Sequence, residues 1–222
     1  MIQTIAQKGR KHPIAVMLIY FVLYDVYFSV LEAWNRPTHL VHCTLDDYMP
    51  FCSWAVLPYL SWFVWVPAIL FLFLWRSREE FWRLFNGLMG GTTFSLLLYT
   101  VYPTVVNLRR PLYGTDFCTR LIHLIRLADT PTNVCPSLHV FISALLLLHI
   151  LNAQWTSSGT FRVINTWIAV LICASTVLID QHSLIDVAFG VLLALWTYAL
   201  TARAAQRQTS RLEVLLRGAD TH

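Results

Sequence analysis

Two histidines and an aspartate are the residues of this chain whose types and spacing best suit catalysis. His182 and Asp186 are four residues apart, so on a helix they share one face. Asp186 can then accept a hydrogen bond from one ring nitrogen of His182 and leave the other free to attack an electrophile. His139 begins a separate apolar stretch and can protonate a leaving oxygen near neutral pH.

Groups that can bind an anion occur in two other short segments. Arg109 and Arg110 are adjacent and offer planar N–H donors that match phosphate oxygens. Pro136 and Ser137 precede an apolar run, where a helix start offers a hydroxyl, free backbone N–H groups and the positive end of the helix dipole. Phosphoryl transfer needs such donors around the phosphate oxygens, so these residues predict a phosphate site.

The composition predicts that a lipid bilayer surrounds the elements that position these groups. Of the 222 residues 57% are hydrophobic and 13% charged, about half the charged share of a soluble domain. Uninterrupted apolar runs reach roughly 20 residues, the length that crosses a bilayer as a helix. They lack the alternating pattern of β-barrel strands. The expected spans are Pro13–Trp34, Ser53–Trp75, Asn86–Tyr102, Leu138–Trp155, Val163–Leu178 and Leu184–Ala202.

The expected fold is therefore all-α, an integral membrane bundle of about six transmembrane helices. No linker, repeat or low-complexity tract divides residues 1–222, which predicts a single domain. The first span follows Lys8, Arg10 and Lys11 and is too long for a cleaved signal, so it is interpreted as an uncleaved signal anchor. A polar stretch covers residues 103–137, a basic loop follows the second span, and the tail from Arg203 is basic and amphipathic.

The distribution of Lys and Arg predicts the orientation. With the N-terminus in the cytoplasm, eleven cations are cytoplasmic and five are outside, which the positive-inside rule favours. Both termini are then cytoplasmic. Residues 107–111, 135–139 and 175–186 all fall at the opposite, extracytoplasmic face. Each feature alone is more often structural, but the three together favour one site.

These segments resemble the three signature motifs of the type-2 phosphatidic acid phosphatase superfamily. Arg110-Pro111 matches the end of the first motif, Pro136-Ser137-Leu138-His139 the second with Leu in place of Gly, and Ser175, His182 and Asp186 the third. The resemblance implies that His182 becomes phosphohistidine, that Asp186 orients it and that His139 is the general acid. It implies that Arg110 and Ser137 hold the phosphate, with Ser175 beside them.

Two positions depart from that pattern. Pro103 stands where the first motif has Lys, and Thr176 replaces the Arg of the third motif. Arg109 is expected to compensate in part, with Thr176 as a neutral donor. The departures, and the run from Asp129 to Asn133, resemble the branch with inositol phosphorylceramide and sphingomyelin synthases. An alcohol can replace water as acceptor there.

The expected substrate is a membrane lipid phosphate with a possible alcohol acceptor and no cofactor or metal. Nucleic acid is a poor partner for a chain with a net charge of +4 and no basic aromatic surface. Three alternatives stay open. His39, His42 and Cys43 could bind zinc, Asp25 could serve a channel or transporter, and the loss of two cations could leave a non-catalytic lipid-phosphate-binding protein.

Asp25 and the cysteines give two further expectations. Asp25 lies within the first span and should face other helices, paired or protonated. Four cysteines lie in the segments placed outside, where disulfides can persist. Cys43 with Cys52 and Cys118 with Cys135 are the favoured pairs because each closes a short loop, and four free thiols are the alternative.

Overall fold

The computed structural model of the chain describes residues 11–34, 38–156 and 158–219, with side chains in the last helix up to Ala204 and at Gln206. This part of the chain contains seven α-helices and almost no sheet, which confirms the all-α membrane bundle. The helices are α1 Pro13–Trp34, α2 Val56–Arg76, α3 Arg78–Val101, α4 Phe117–Ala128, α5 Leu138–Asn152, α6 Gly159–Leu178 and α7 Leu184–Ala219.

Five helical segments are long and apolar enough to cross a membrane. They are Pro13–Trp34, Ser53–Arg76, Arg78–Val101, Gly159–Leu178 and Leu184–Ala204. The expected fourth span is a shorter apolar helix, α5, which ends at Asn152 rather than Trp155. The prediction of about six spans thus corresponds to five long helices and one short one.

The turn between α2 and α3 differs from the expected basic loop. Only Ser77 separates the two helices, and Arg78 and Arg83 lie within α3. Ser77 caps α3 by accepting a hydrogen bond from the Glu80 amide, and the acidic residues of the first turn suit the positive helix end. Helix α3 therefore begins well before Asn86, because the cap and not the hydropathy sets its start.

The polar stretch 103–137 contains a helix that hydropathy alone does not reveal. Asp116 caps α4 by accepting from the Thr119 amide. The helix buries Cys118 and Ile122 on one face and exposes Arg120 and His123 on another, so it is amphipathic. A two-stranded parallel sheet, His39–Leu40 with Thr104–Val105, joins the chain after α1 to the start of this stretch.

Helix α5 is the centre of the bundle. It packs against α2, α3, α6 and α7, and Phe141, Leu145 and Leu146 are fully buried. Two glycines on the neighbouring helices allow those helices to approach α5 closely. A Cβ on Gly91 of α3 would overlap the Phe141 ring, and a Cβ on Gly190 of α7 would lie 2.8 Å from the Ser137 carbonyl oxygen. Small residues at such crossings bring helix backbones together in membranes.

Helix α1 lies at the edge of the bundle. Only Pro13 and Leu31 are buried in it, and its main helix contact is with α3, where the Tyr20 hydroxyl donates to the Met89 carbonyl at 3.0 Å. Asp25 is expected from the sequence to face other helices, paired or protonated. Its side chain is exposed and lines a cavity between helices, and the expected pairing is not formed, since it has no hydrogen-bonding partner within the described ranges.

All five cysteines are free thiols, so the favoured disulfide pairs are not formed. Cys118 packs on α4 against the cluster around Val56, whereas Cys135 packs against Val134 in a separate cluster. Proximity along the chain therefore did not bring these two thiols together. Cys43 and Cys52 stand at the starts of two different 3-10 helices, Thr44–Tyr48 and Ser53–Ala55.

Candidate active site

The turn between α6 and α7 holds His182 at the end of the bundle. The amides of Gln181 and His182 both donate to the Thr176 carbonyl, at 3.0 and 3.1 Å. Asp180 has a φ of 60°, a left-handed conformation that aspartate tolerates better than most residues. These bonds reverse the chain within a few residues and place His182 just before α7.

His182 and Asp186 interact as their spacing predicts. His182 Nδ1 lies 3.3 Å from Asp186 Oδ2, and the carboxylate is fully buried. The Ser183 amide donates to the same oxygen at 2.9 Å, which fixes the carboxylate in place. The His182 ring lines a cavity, and its Nε2 has no hydrogen-bonding partner in the part of the chain that is described. This arrangement leaves one ring nitrogen available to a ligand.

His139 stands in the first turn of α5 within an aromatic box. Its ring stacks on Tyr59 at 4.5 Å between centroids and lies 4.7 Å from Trp62. The rings of His139 and His182 are 6.2 Å apart. His139 Nε2 is buried without a protein partner, and the residue lines the same cavity as His182. The two histidines predicted for catalysis are therefore brought together.

Asp46 clamps the start of α7 from the loop after α1. Its Oδ2 accepts from the Ser183 hydroxyl at 2.7 Å and the Cys43 amide at 2.8 Å, and its Oδ1 accepts from the Leu184 amide at 2.9 Å. Burial acts to raise the pKa of Asp46, but these hydrogen bonds together lower that pKa below its ordinary value. No local pattern predicts this contact, because Asp46 and Ser183 are 137 positions apart in the chain.

Arg109 contacts Gln181, the residue that precedes His182. It donates to the Gln181 side-chain oxygen at 2.7 Å and to the Asp129 carbonyl at 2.8 Å. Burial lowers the pKa of Arg109 from its ordinary value, and the negative charge of Asp129 opposes that shift. Arg109 itself does not line the cavity and is connected to it through Gln181, whose side chain does.

Arg110 contacts Met49 and Asp180 and not the residues next to His182. Its guanidinium donates to the Met49 carbonyl at 2.6 Å and lies 3.6 Å from Asp180, whose carboxylate also pairs with Arg126 at 3.4 Å. Burial raises the pKa of Asp180, and the two arginines oppose the shift. Arg126, which the sequence analysis did not select, thus shares with Arg110 the task of fixing the turn before His182.

The three predicted hydroxyl donors are buried and bonded within the fold. Ser137 caps α5, and its amide donates to the Asp186 carbonyl at 3.1 Å. Ser175 donates to the Ile172 carbonyl and Thr176 to the Cys173 carbonyl, both in the preceding turn of α6. All three lie close along the chain to the site, but none of their side chains lines the cavity. Their positions support the two helix ends that carry His139 and His182.

The cavity has a volume of about 600 Å³. It extends from the two histidines between α1, α2 and α4, where aromatic and aliphatic side chains line it. Polar atoms of the lining residues have no protein partner, namely Trp62 Nε1, His139 Nε2, Gln181 Nε2, and the side-chain oxygen and nitrogen of Asn133. Asn133 is 4% exposed and has a φ of 54°. Buried polar groups normally have hydrogen-bonding partners, so these unpartnered atoms indicate that a polar ligand binds at this end of the cavity.

Comparison of the chain with models of protein families, with curated proteins and with solved structures finds no match. Within the described ranges, no three His, Cys, Asp or Glu side chains are arranged to hold a metal ion, including His39, His42 and Cys43. His42 instead lies 2.9 Å from Asp47, and His39 stacks on Tyr102. The site is thus characterised by its own geometry, a histidine–aspartate pair and a second histidine at the polar end of an apolar cavity.

Proposed function

We propose that this protein is a membrane lipid phosphatase or phosphotransferase that works through a phosphohistidine on His182. The observation that carries the proposal is the placement of two histidines on one cavity, with His182 held by Asp186 and the His139 ring 6.2 Å away. A phosphorus atom between them would have a nucleophile on one side and a proton donor on the other. The likeness of the three segments to the motifs of type-2 phosphatidic acid phosphatases supports the same assignment.

The first half-reaction uses both histidines. The Nε2 lone pair of His182 attacks phosphorus, the bond to the leaving oxygen breaks, and protonated His139 gives that oxygen its proton. Asp186 accepts a hydrogen bond from Nδ1 and stabilises the positive charge that develops on the ring. The Gln181 side-chain amide supplies an N–H donor beside His182 for the phosphate oxygens, and Arg109 orients that amide by donating to its oxygen.

The second half-reaction restores the enzyme. Water or an alcohol attacks the phosphorus of phosphohistidine and gives its proton to the now neutral His139. The N–P bond breaks, and His182 recovers its lone pair. The product is a phosphate monoester or free phosphate with water, and a transferred phosphoryl headgroup with an alcohol. The proposed mechanism operates with either water or an alcohol as the acceptor.

The surroundings of the site suit a lipid. The cavity continues from the histidines between apolar side chains of α1 and α2, including Phe28, Leu60 and Phe63. Acyl chains can lie there while the phosphate reaches the polar end. We propose that this end lies on the extracytoplasmic or lumenal side, and the excess of Lys and Arg in the segments assigned to the opposite face supports that orientation.

Trapping of the covalent intermediate tests the proposal. Protein in nanodiscs is mixed with lipids carrying labelled phosphate, quenched in base and digested, and an acid-labile phosphate is expected on His182. His182→Ala should lose both the adduct and turnover. His123→Ala is the matched control, because His123 is an exposed histidine on α4 that does not line the cavity. Full turnover by His182→Ala would refute the mechanism, and binding of lipid phosphates without turnover by the native protein would favour the non-catalytic alternative.

A further inference from the structure

The side-chain amide of Asn133 is buried at the cavity without a partner from the protein. Asn133 lies in the loop between α4 and α5, lines the cavity and is almost completely buried. Within the described part of the chain, neither its Oδ1 nor its Nδ2 makes a hydrogen bond. Burying an amide without partners destabilises a protein, so both atoms indicate a ligand, whichever way the amide is turned.

The backbone around Asn133 is fixed by Thr104. The Asn133 backbone amide donates to the Thr104 carbonyl at 2.7 Å, and the Thr104 hydroxyl accepts from the amides of Val134 and Cys135 at 3.0 and 3.2 Å. This geometry holds Asn133 at a φ of 54°, which asparagine tolerates and glycine adopts more easily. Glycine would satisfy the backbone without burying an unpartnered amide. The side chain therefore needs an explanation of its own.

Two side-chain amides line the polar end of the cavity, and they offer different groups to a ligand. The Gln181 oxygen accepts from Arg109 at 2.7 Å, so Gln181 has only its Nε2 donor left. A donor suits the oxygens of an ionised phosphate, which can only accept. Asn133 offers an acceptor as well as a donor. The partner of its Oδ1 must donate a hydrogen, which a fully ionised phosphate cannot do.

Asn133 belongs to the same wall of the cavity as His139. Val134 and Leu138 line the cavity between them along the chain, and His139 Nε2 is also buried without a protein partner. In the second half-reaction the acceptor gives a proton to His139. Water has two hydrogens, so it can face His139 with one and donate the other to Asn133 Oδ1. The hydroxyl of an alcohol has one hydrogen, which must go to His139. The pair of side chains therefore favours water.

We propose that Asn133 positions the water molecule that hydrolyses phosphohistidine. The inference rests on the proposed function and assigns a positioning residue to its acceptor step. Asn133 Oδ1 accepts one hydrogen of the water, as side-chain amides that orient an attacking water do in phosphoryl transfer. The water oxygen bonds to phosphorus, the N–P bond breaks, and His182 regains its lone pair. His139 takes one proton of the water, and the other hydrogen leaves with the phosphate.

Competition between water and an alcohol for one phosphoenzyme tests this role. Protein in maltoside micelles receives dioctanoyl phosphatidic acid with a radiolabelled phosphate and a fixed concentration of hexanol, and inorganic phosphate and hexyl phosphate are separated and counted. Their ratio depends only on the second half-reaction. Asn133→Gly keeps the left-handed backbone accessible and should lower the ratio of inorganic to hexyl phosphate at least about tenfold. Asn133→Asp retains an acceptor oxygen and should keep the ratio within about threefold of the native value. Asn107→Gly removes an exposed asparagine outside the cavity and should leave the ratio unchanged.

Two results of the competition would overturn the inference. An unchanged ratio in Asn133→Gly would mean that the asparagine serves only the backbone, and an equal loss of both products would mean that it acts on the phosphate or the fold. Magnetic resonance of the resting protein separates the inference from the mechanism. With isotope-labelled asparagine, the side-chain amide signal that Asn133→Gly removes should show cross-relaxation with water, and its absence would also overturn the inference. Water contact at Asn133 with no adduct on native His182 would keep the water site and refute the proposed function. An adduct on His182 with an unchanged product ratio would do the reverse.

Discussion

Replacing Asp46 by alanine should destabilise the protein and impair the site at the same time. The substitution leaves the Ser183 hydroxyl and the Leu184 and Cys43 amides without their acceptor. A buried donor without a partner costs about 1–3 kcal/mol, and neighbouring donors are not additive, so we expect a loss of about 3–5 kcal/mol. For a domain of this size that corresponds to a melting temperature lowered by roughly 10 °C.

The Asp46→Ala substitution should also reduce activity, because it lets His182 move from its position. Ser183 and Leu184 follow it directly, and their bonds to Asp46 fix the start of α7. A catalytic group displaced by about 1 Å can lose roughly 100-fold in rate, and we expect a loss in kcat of that order. Thermal unfolding in detergent and turnover of a labelled lipid are the assays. Asp46→Asn retains one acceptor oxygen and should fall between Asp46→Ala and the native protein.

Asp47 provides the matched control in the same 3-10 helix. Its side chain is 61% exposed and pairs with His42 at 2.9 Å, so Asp47→Ala should change stability by about 1 kcal/mol or less. If Asp46→Ala were as stable and as active as Asp47→Ala, the clamp would have no role and the reasoning would be refuted.

The contribution of Asp46 should also depend on pH. Its pKa in the folded protein is lowered, so the stability it gives is present above the unfolded pKa of about 4 and is lost as pH falls through the folded value. The difference in melting temperature between native protein and Asp46→Asn should therefore be full at pH 7 and shrink below pH 4. A difference that grows on acidification would contradict the assignment.

Three other outcomes are expected. Gly190→Ala should cost about 1–3 kcal/mol in unfolding measurements, because its Cβ would lie 2.8 Å from the Ser137 carbonyl, whereas Gly159→Ala meets open space and should be near neutral. Arg109→Ala should reduce kcat/KM for lipid turnover more than Arg110→Ala, since only Arg109 contacts Gln181 beside His182; the reverse order would count against it. Intact mass after alkylation in denaturant without reductant should show five modified thiols, and fewer would indicate a disulfide.

The four-residue spacing predicted the histidine–aspartate contact because that contact is local. His182 lies two residues before the start of α7, so the turn, and not a shared helix face, brings its Nδ1 to 3.3 Å from Asp186 Oδ2. Hydropathy also located five long apolar helices, since a run of about 20 apolar residues has few alternatives to a membrane helix. These features depend on the sequence within one element.

Features that depend on contacts between distant elements could not be predicted in this way. The chain has twelve acidic residues, and no motif in the sequence around Asp46 distinguishes it from the others as the partner of Ser183. The average polarity of residues 103–137 concealed the amphipathic helix α4, although Asp116 three residues before Thr119 is a capping signal. Arg110 resembles a phosphate ligand in sequence, yet its nearest partners are Met49 and Asp180, which are distant along the chain.

The length of α5 has a consequence for the lipid around the protein. Its 15 residues rise about 22 Å, whereas the hydrocarbon layer of a bilayer is about 30 Å thick. The helix therefore cannot reach both interfaces. Its first turn, with His139, is level with the first turn of α7, because the Ser137 amide donates to the Asp186 carbonyl at 3.1 Å, so the shortfall lies at the other end of α5, beyond Asn152. At that end either the bilayer thins beside the protein or the chain that follows Asn152 lies below the interface. A change in membrane thickness would thus act on the end of the bundle away from the two histidines.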